Sequence, residues 1–263
     1  MSSTAVSPTA HMPNWQANVA RAFSRAAPRY DALANAQRQI GETLWPALPS
    51  RAANILDLGC GTGYWTQRLA ERFPQAQVTG LDLAPGMLAH AQACYGDAIT
   101  WQQGDAAAQP FKNDSFDLVF SNLAIQWCRD INAVMGELER VLIPGGQAYI
   151  TTLLPGTLAE VATTWQRPEA LLQTPDAQTV KHAVTQSGLT LTQHTAEQRQ
   201  FYYPDLNAVM ASIKGVGAQV ARPNAQLTRR ELAAAQARFE TLRTPLGLPV
   251  SYHCFTLHLE KTR

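Results

Sequence analysis

Apolar positions along this chain change period several times, and each change marks an element. From Trp15 to Leu48 they recur at three- and four-residue steps: Val19, Phe23, Ala26 and Tyr30, then Ile40, Leu44 and Leu48. That spacing is one face of a helix. Pro28 and Pro46 interrupt the stretch and predict two or more short helices rather than one long one. Short apolar runs follow, alternating with helical segments. NILDLG (54–59), QVTGLDL (77–83), ITWQQGD (99–105), FDLVFSNL (116–123) and QAYITTLL (147–154) read as strands. The segment after Gly63 through Phe73, Pro85 to Ala93 and Ile131 to Val141 read as helices. The near-continuous apolar character of FDLVFSNL suits a parallel strand covered on both faces.

Such alternation predicts right-handed βαβ crossovers and a doubly wound, mostly parallel sheet with helices on both faces, a Rossmann-like α/β fold. Past Leu154 the pattern predicts helices at 158–172 and 176–187, a strand from Leu189, and a helical stretch from 205 to 243 broken at KGVGA. VSYHCFTLHLE (250–260) closes the chain as an alternating strand. A helical insertion at 204–243, before the last strand, would sit over the carboxyl edge of the sheet and serve as a lid. The expected organisation is one domain over 15–263, with N-terminal helices at 15–50 over the active site and a cofactor-binding core at 54–154. Residues 1–14, rich in Ser, Thr, Ala and Pro, read as a disordered tail.

Composition narrows the class. Of 263 residues 46% are hydrophobic and 16% charged, enough apolar material for one substantial core. A formal net charge of +1 argues against nucleic acid as a partner. No segment has the apolar length of a membrane span, so a soluble chain with no membrane partner is expected. The first residues lack the basic and apolar regions of a secretory leader. Cys60, Cys94, Cys128 and Cys254 are scattered, with no C-x-x-C and no histidine at ligand spacing. A reduced, cytoplasmic setting and no metal site follow as expectations.

The chemistry centres on ILDLGCGTG, residues 55–63, where Gly59, Gly61 and Gly63 occupy the first strand-to-helix turn. Glycines there let the backbone approach a ligand closely. A glycine-rich turn alone could equally be a tight turn without a ligand. The position that would complete G-x-G-x-x-G is Tyr64 or Thr66, so a pyrophosphate site is disfavoured. Asp57 at the strand end can orient an ammonium group, and Asp82 at the end of the second strand can accept both hydroxyls of a ribose. Asp105 after the third strand can accept an adenine amino group, with the backbone N–H of Ala106 offered to the ring. Each acid alone has a turn- or helix-capping alternative; three acids after three successive strands, beside the glycine loop, form a specific constellation.

This constellation resembles class I S-adenosylmethionine-dependent methyltransferases over roughly residues 54–153. The resemblance implies a seven-stranded sheet and S-adenosylmethionine as cofactor, with Leu83 and Met87 joining the acids in its site. Asn122 and Leu123, after the fourth strand, would close the methyl-transfer pocket. The N/D-P-P-Y/F sequence of nitrogen methylation is absent, SNLAIQW standing in its place. No Lys-Asp or His-Asp pair stands out as the base a phenol would need. A carboxylate, already deprotonated at neutral pH, needs none.

The flanks VARAFSRAAPRYDALANAQRQ, SNLAIQWC, SIKGVGA and VSYHCF resemble the malonyl-acyl-carrier-protein O-methyltransferase family, from about Val19 to the C-terminus. That resemblance implies methylation of the free carboxylate of a malonyl thioester, on carrier protein or on coenzyme A, by a monomeric enzyme of biotin synthesis. Gln37 and Trp127 match the glutamine and tryptophan that orient the carboxylate in related enzymes, although Trp127 could simply pack. Ala36 stands where relatives commonly carry a larger apolar residue. Tyr30 matches a tyrosine that folds over the cofactor, with core packing the alternative. Gln126, paired with Trp127 at the strand exit, is a substrate-side candidate, and Lys214, beside Gly215 and Gly217, is a candidate partner for the malonyl carboxylate or the phosphopantetheine phosphate, with plain solvation the alternative. Arg21, Arg25 and Arg29 could meet an acidic carrier helix, with plain solvation the alternative. Two other readings are a methyltransferase for another small acid or a quinone precursor, and a non-catalytic binding module.

Overall fold

A computed structural model describes residues 15–166, 171–216 and 228–262; the expected tail at 1–14 lies outside them. Seven strands, β1 (Asn54–Leu58), β2 (Gln77–Asp82), β3 (Thr100–Gln103), β4 (Phe116–Asn122), β5 (Leu142–Leu153), β6 (Leu189–Tyr203) and β7 (Leu248–Lys261), form one sheet. Their order is β3-β2-β1-β4-β5-β7-β6. β3, β2, β1, β4 and β5 are parallel, while β7 runs antiparallel to both β5 and β6. The chain winds outward from β1 through β2 to β3, then back to β4 on the other side. The crevice beyond the carboxyl ends of β1 and β4 is therefore the place for a ligand.

Alternation along the central strands sorts their side chains between two layers. Ile55 of β1 and Leu118 and Phe120 of β4 pack with Trp65 and Leu69 of α3 (Tyr64–Arg72). Leu56, Leu58 and Val119 face the other way, onto Val134 and Leu138 of α5 (Ile131–Val141) and Val180 and Val184 of α7 (Ala177–Ser187). Each such side chain, fully withdrawn from water, contributes about 1.5–3 kcal/mol. α4 (Pro85–Tyr95) carries proline in its first turn, where the missing N–H leaves no helical bond unmade. β5 begins earlier than the apolar run suggests. Its register on β4 slips between Phe116 and Leu118, and the Pro144-Gly145-Gly146 turn is absorbed as an irregularity of the strand.

Three segments differ from the sequence expectation. Pro28 does not break the N-terminal helix: α1 runs unbroken from Trp15 to Leu33, followed by α2 (Asn35–Gly41). The proline ring lies on the exposed side, while Ala26 and Ala27 pack on Ala84 and Met87, and that packing outweighs one lost backbone bond. Gly86 N–H also donates to Ser24 Oγ (3.0 Å), tying α1 to α4. The helix expected over 158–172 ends early, as α6 (Ala159–Trp165), with Gln166 left-handed at its C-terminus. Residues 167–170 of that expected helix lie outside the described ones.

The region between β6 and β7 holds α8 (Leu206–Lys214) and α9 (Arg229–Glu240), started by Asp205 and by a Thr228–Glu231 capping box. The expected break at KGVGA begins at Gly215, and its later residues lie outside the described ones. α9 packs on α6, where Arg238 Nε donates to Thr164 O (2.7 Å). α8 packs on the end of α1, and a Cβ on Gly215 would meet Leu33 Cδ1 at 2.1 Å. No helix among the described residues is long and apolar enough to cross a membrane.

Candidate active site

The turn after β1 is built by backbone bonds to β2. Gly59 N–H (2.7 Å) and Cys60 N–H (3.0 Å) both donate to Leu81 O, and Gly61 N–H donates to Asp82 Oδ2 (2.9 Å). The other oxygen of Asp82 accepts from Ala84 N–H (2.8 Å). A carboxylate has about four acceptor positions, so lone pairs on Asp82 remain for a ligand. Its pKa is raised, by desolvation foremost, although three backbone N–H groups oppose the shift.

Gly59 (φ +78°) abuts Ala124, whereas the Cβ direction of Gly61 (φ +56°) meets nothing within 4 Å. Gly59 and Gly61 line an open cavity. Its walls also include Tyr30, Asp82, Leu83, Met87, Asp105, Ala106, Asn122 and Trp127. Gly63 is not in that wall; it starts α3 against Trp101 and Tyr95. Asp57 is also set back. It is buried beneath the loop, accepts from Thr66 Oγ1 (2.6 Å), and has its pKa pushed up to about 7, mainly by desolvation.

α1 lies across this cavity. Gln16 Nε2 donates to Asp105 Oδ2, while Asp105 Oδ1 accepts from Ala107 N–H (3.0 Å). At the other end of α1, Asp31 accepts from Thr62 Oγ1 (2.9 Å) in the glycine turn and from Arg38 of α2 (2.9 Å). Gln16, Phe23 and Asp31 were not singled out by sequence. Phe23 belongs to an ordinary apolar period, and nothing local tells a carboxylate after Tyr30 that its partner is 31 residues on.

A second chamber opens beside the first. Phe23, Tyr30, Leu123 and Trp127 line both and mark the junction. Leu123 holds a left-handed conformation (φ +52°) there, and its N–H donates to Thr151 O (3.0 Å). A non-glycine residue so placed stores strain, a feature that clusters at functional sites. Trp127 packs as well as lining: it stacks on Trp15 (6.4 Å between rings), meets Phe23 edge-on (5.2 Å), and its carbonyl accepts from Trp15 Nε1 (2.9 Å). Burial, with Asp82 and Asp31 nearby, raises the Tyr30 pKa.

Gln37, Gln126 and Lys214 line only the second chamber. Gln37 is held by its backbone, whose carbonyl accepts from Asn122 Nδ2 (3.0 Å), and its side-chain Oε1 is buried without a partner. Ala36 is buried beside Ile40. Gln126 spends its amide on the protein, donating to Leu123 O (2.6 Å) and accepting from Thr152 Oγ1 (3.3 Å), and so braces the Leu123 turn. Lys214 is exposed at the end of α8; Arg21, Arg25 and Arg29 are exposed on α1. No group of three or more His, Cys, Asp or Glu able to hold a metal occurs among the described residues.

A family model described as a methyltransferase domain matches residues 56–150. The malonyl-[acyl-carrier protein] O-methyltransferase of Hahella chejuensis is 36% identical over 246 residues, covering 90% of this chain and 88% of that one. The biotin biosynthesis bifunctional protein BioHC of Cellvibrio japonicus is 39% identical over 251 residues, 92% of this chain; the match spans 50% of that longer protein. Phosphoethanolamine N-methyltransferase 2 of Haemonchus contortus, solved with S-adenosyl-L-methionine, shares the fold. Its TM-score is 0.61 at 19% identity, over 99% of this chain and 61% of that one. A glycine turn held by Asp82, an open cradle at Gly61, and Asp82 and Asp105 in the cavity wall fit S-adenosylmethionine as cofactor, and the chain belongs to the malonyl-[acyl-carrier protein] O-methyltransferase family of methyltransferases.

Proposed function

We propose that this enzyme methylates the free carboxylate of a malonyl thioester borne on an acyl-carrier protein, giving the methyl ester from which biotin synthesis proceeds. In this reading it acts as a cytoplasmic monomer, with neither nucleic acid nor membrane as partner. One observation carries the choice of acceptor. Among the described residues lining the second chamber there is no His, Asp, Glu or Cys, and the titratable groups are Tyr30, Tyr252 and Lys214. Burial raises the pKa of both tyrosines, so neither is a base at neutral pH. A chamber without such a base suits an acceptor that is already a nucleophile at neutral pH, as a carboxylate is.

Bound S-adenosylmethionine supplies a methyl group on a positively charged sulfonium. The protein's part is to hold, align and dry. Asp82 accepts the ribose hydroxyls, Asp105 and Ala106 meet the adenine, Leu83 and Met87 pack on it, and Asn122 holds the β4 end of the pocket. Asp57 acts from beneath the loop, through its field on the ammonium group. Gln37 and Trp127 offer neutral N–H donors, which orient a carboxylate without neutralising it, and apolar walls exclude water. Lys214 at the rim balances the charge of the malonyl carboxylate or of the phosphopantetheine phosphate.

Purified enzyme given malonyl carrier protein and S-adenosylmethionine should yield a product one methylene heavier that carries a methyl ester. Methylation of a quinone precursor instead, with none of the thioester, would overturn the reading. Running malonyl-coenzyme A in parallel separates the two thioesters. Gln37→Glu sets a second carboxylate beside the first. It should lower kcat/KM for the thioester about 100-fold, or roughly 3 kcal/mol, with cofactor affinity nearly unchanged.

Asp57 gives a pH dependence. Its folded-state pKa, about 7, lies above the ordinary 3.8. Between these values the folded protein binds more protons than the unfolded chain, so the apoprotein loses stability as pH rises through the window. A cationic ligand favours the ionised form. Cofactor affinity should therefore rise about five- to tenfold from pH 6 to 7.5, measured by calorimetry. Asp57→Asn should flatten that rise and leave the apoprotein at pH 8 at least as stable as the parent.

A further inference from the structure

Two residues that line the second chamber each carry a buried polar atom without a partner among the described residues, Gln37 Oε1 and Trp165 Nε1. Gln37 already has a part in the proposed reaction, through the N–H groups of its side chain and not through this oxygen; Trp165 has none. An indole N–H is a donor only and cannot turn into an acceptor, and a buried donor left unpaired is a standing cost.

The helix carrying Trp165 is held firmly. Glu160 accepts from Ser251 N–H (2.9 Å) and from Ser251 Oγ on β7, while Arg238 Nε grips Thr164 O (2.7 Å). Leu158 (φ +59°) and Gln166 (φ +56°), neither a glycine, bound the helix in the left-handed region. This strained, pinned turn keeps the indole in the chamber wall. Trp165 lines the acceptor chamber and not the cofactor cavity, so it stands apart from the junction where the methyl group crosses.

We propose that Trp165 is a substrate-binding residue whose indole N–H donates to a neutral carbonyl of the bound acceptor, on the thioester side remote from the reacting carboxylate. The proposal rests on the malonyl-thioester reading given above. A carbonyl remote from the reacting atoms carries nearly the same charge in the ground and transition states, so this bond strengthens binding without speeding the chemical step.

Trp165→Phe, and replacement of Trp165 by benzothienylalanine, which keeps the bicyclic shape but lacks the N–H, test it. Both should raise KM for malonyl carrier protein about tenfold, the worth of one hydrogen bond to a buried donor. Neither should change kcat, cofactor affinity or Tm beyond about twofold or a few degrees. An unchanged KM with benzothienylalanine overturns the proposal, because a protein group or water then satisfies the N–H. So does a joint fall in kcat, cofactor affinity and Tm with benzothienylalanine, which assigns the N–H to the fold. Wild-type enzyme is the internal control: if it fails to methylate malonyl carrier protein, the acceptor reading fails, and this proposal falls with it for that separate and visible reason.

Discussion

Asp82→Ala should remove most S-adenosylmethionine binding, raising Kd at least about 100-fold by calorimetry, while the apoprotein keeps its fold. The carboxylate accepts from Gly61 N–H (2.9 Å) and Ala84 N–H (2.8 Å) and so shapes the turn before any ligand arrives. Hydrogen bonds to a charged group contribute about 1.5–3 kcal/mol each. Loss of the turn geometry together with the bonds to ribose therefore exceeds 3 kcal/mol, roughly 100-fold or more. Stability suffers less than binding, because the mutation also lifts the desolvation cost that raises the Asp82 pKa. A Kd within tenfold of the parent would show that the turn holds itself and that Asp82 is dispensable.

Gly59→Ala and Gly61→Ala should fail in different ways. At Gly59 a Cβ would lie 2.2 Å from Ala124 Cβ, on backbone with φ +78°. The left-handed conformation costs about 1–2 kcal/mol and the overlap about 1–3 more, so Tm should fall by several degrees at the least and cofactor binding should go with it. Ala124→Gly in the same chain should recover the overlap part only. At Gly61 (φ +56°) no atom lies within 4 Å of the added methyl, because its direction is the cavity itself. Gly61→Ala should keep Tm within a few degrees, the left-handed conformation costing the fold about 1–2 kcal/mol, yet lower cofactor affinity by tenfold or more, because the added methyl takes up space that the ligand needs. Equal losses of Tm in both variants would refute the assignment of Gly61 to the ligand side.

Local pattern carried much of the architecture. Apolar runs bounded by turn residues mark β1, β2, β4 and β5 because a strand or helix face must be apolar wherever it is covered, whatever its neighbours. The failures share a cause. Pro28 reads as a break, yet α1 passes through it because Ala26 and Ala27 find partners on α4. Residues 158–172 carry a helical period, yet α6 stops at Trp165, where the backbone turns left-handed. In the site, Asp82 and Asp105 are legible because strand ends of this fold present acids to one crevice. Gln16, which donates to Asp105, and Asp31, which binds Thr62, have no local signal. Trp127 illustrates the limit well. Packing and ligand contact are alternatives on paper, and in the structure it does both, stacked on Trp15 while lining the two cavities.

Sequence alone determined the order of elements, the glycine turn, the acids at or just past the ends of β1, β2 and β3, and the family resemblance, all of which are encoded over a few residues or by motif. Tertiary structure decided which of these groups face open space. It set Asp57 and Gly63 behind the wall of the cavity and Gly61 in it, joined the two chambers at Phe23, Tyr30, Leu123 and Trp127, and left Trp165 with a buried donor and no partner. Exposure, desolvation and hydrogen-bond satisfaction depend on atoms that are distant in the chain and adjacent only after folding.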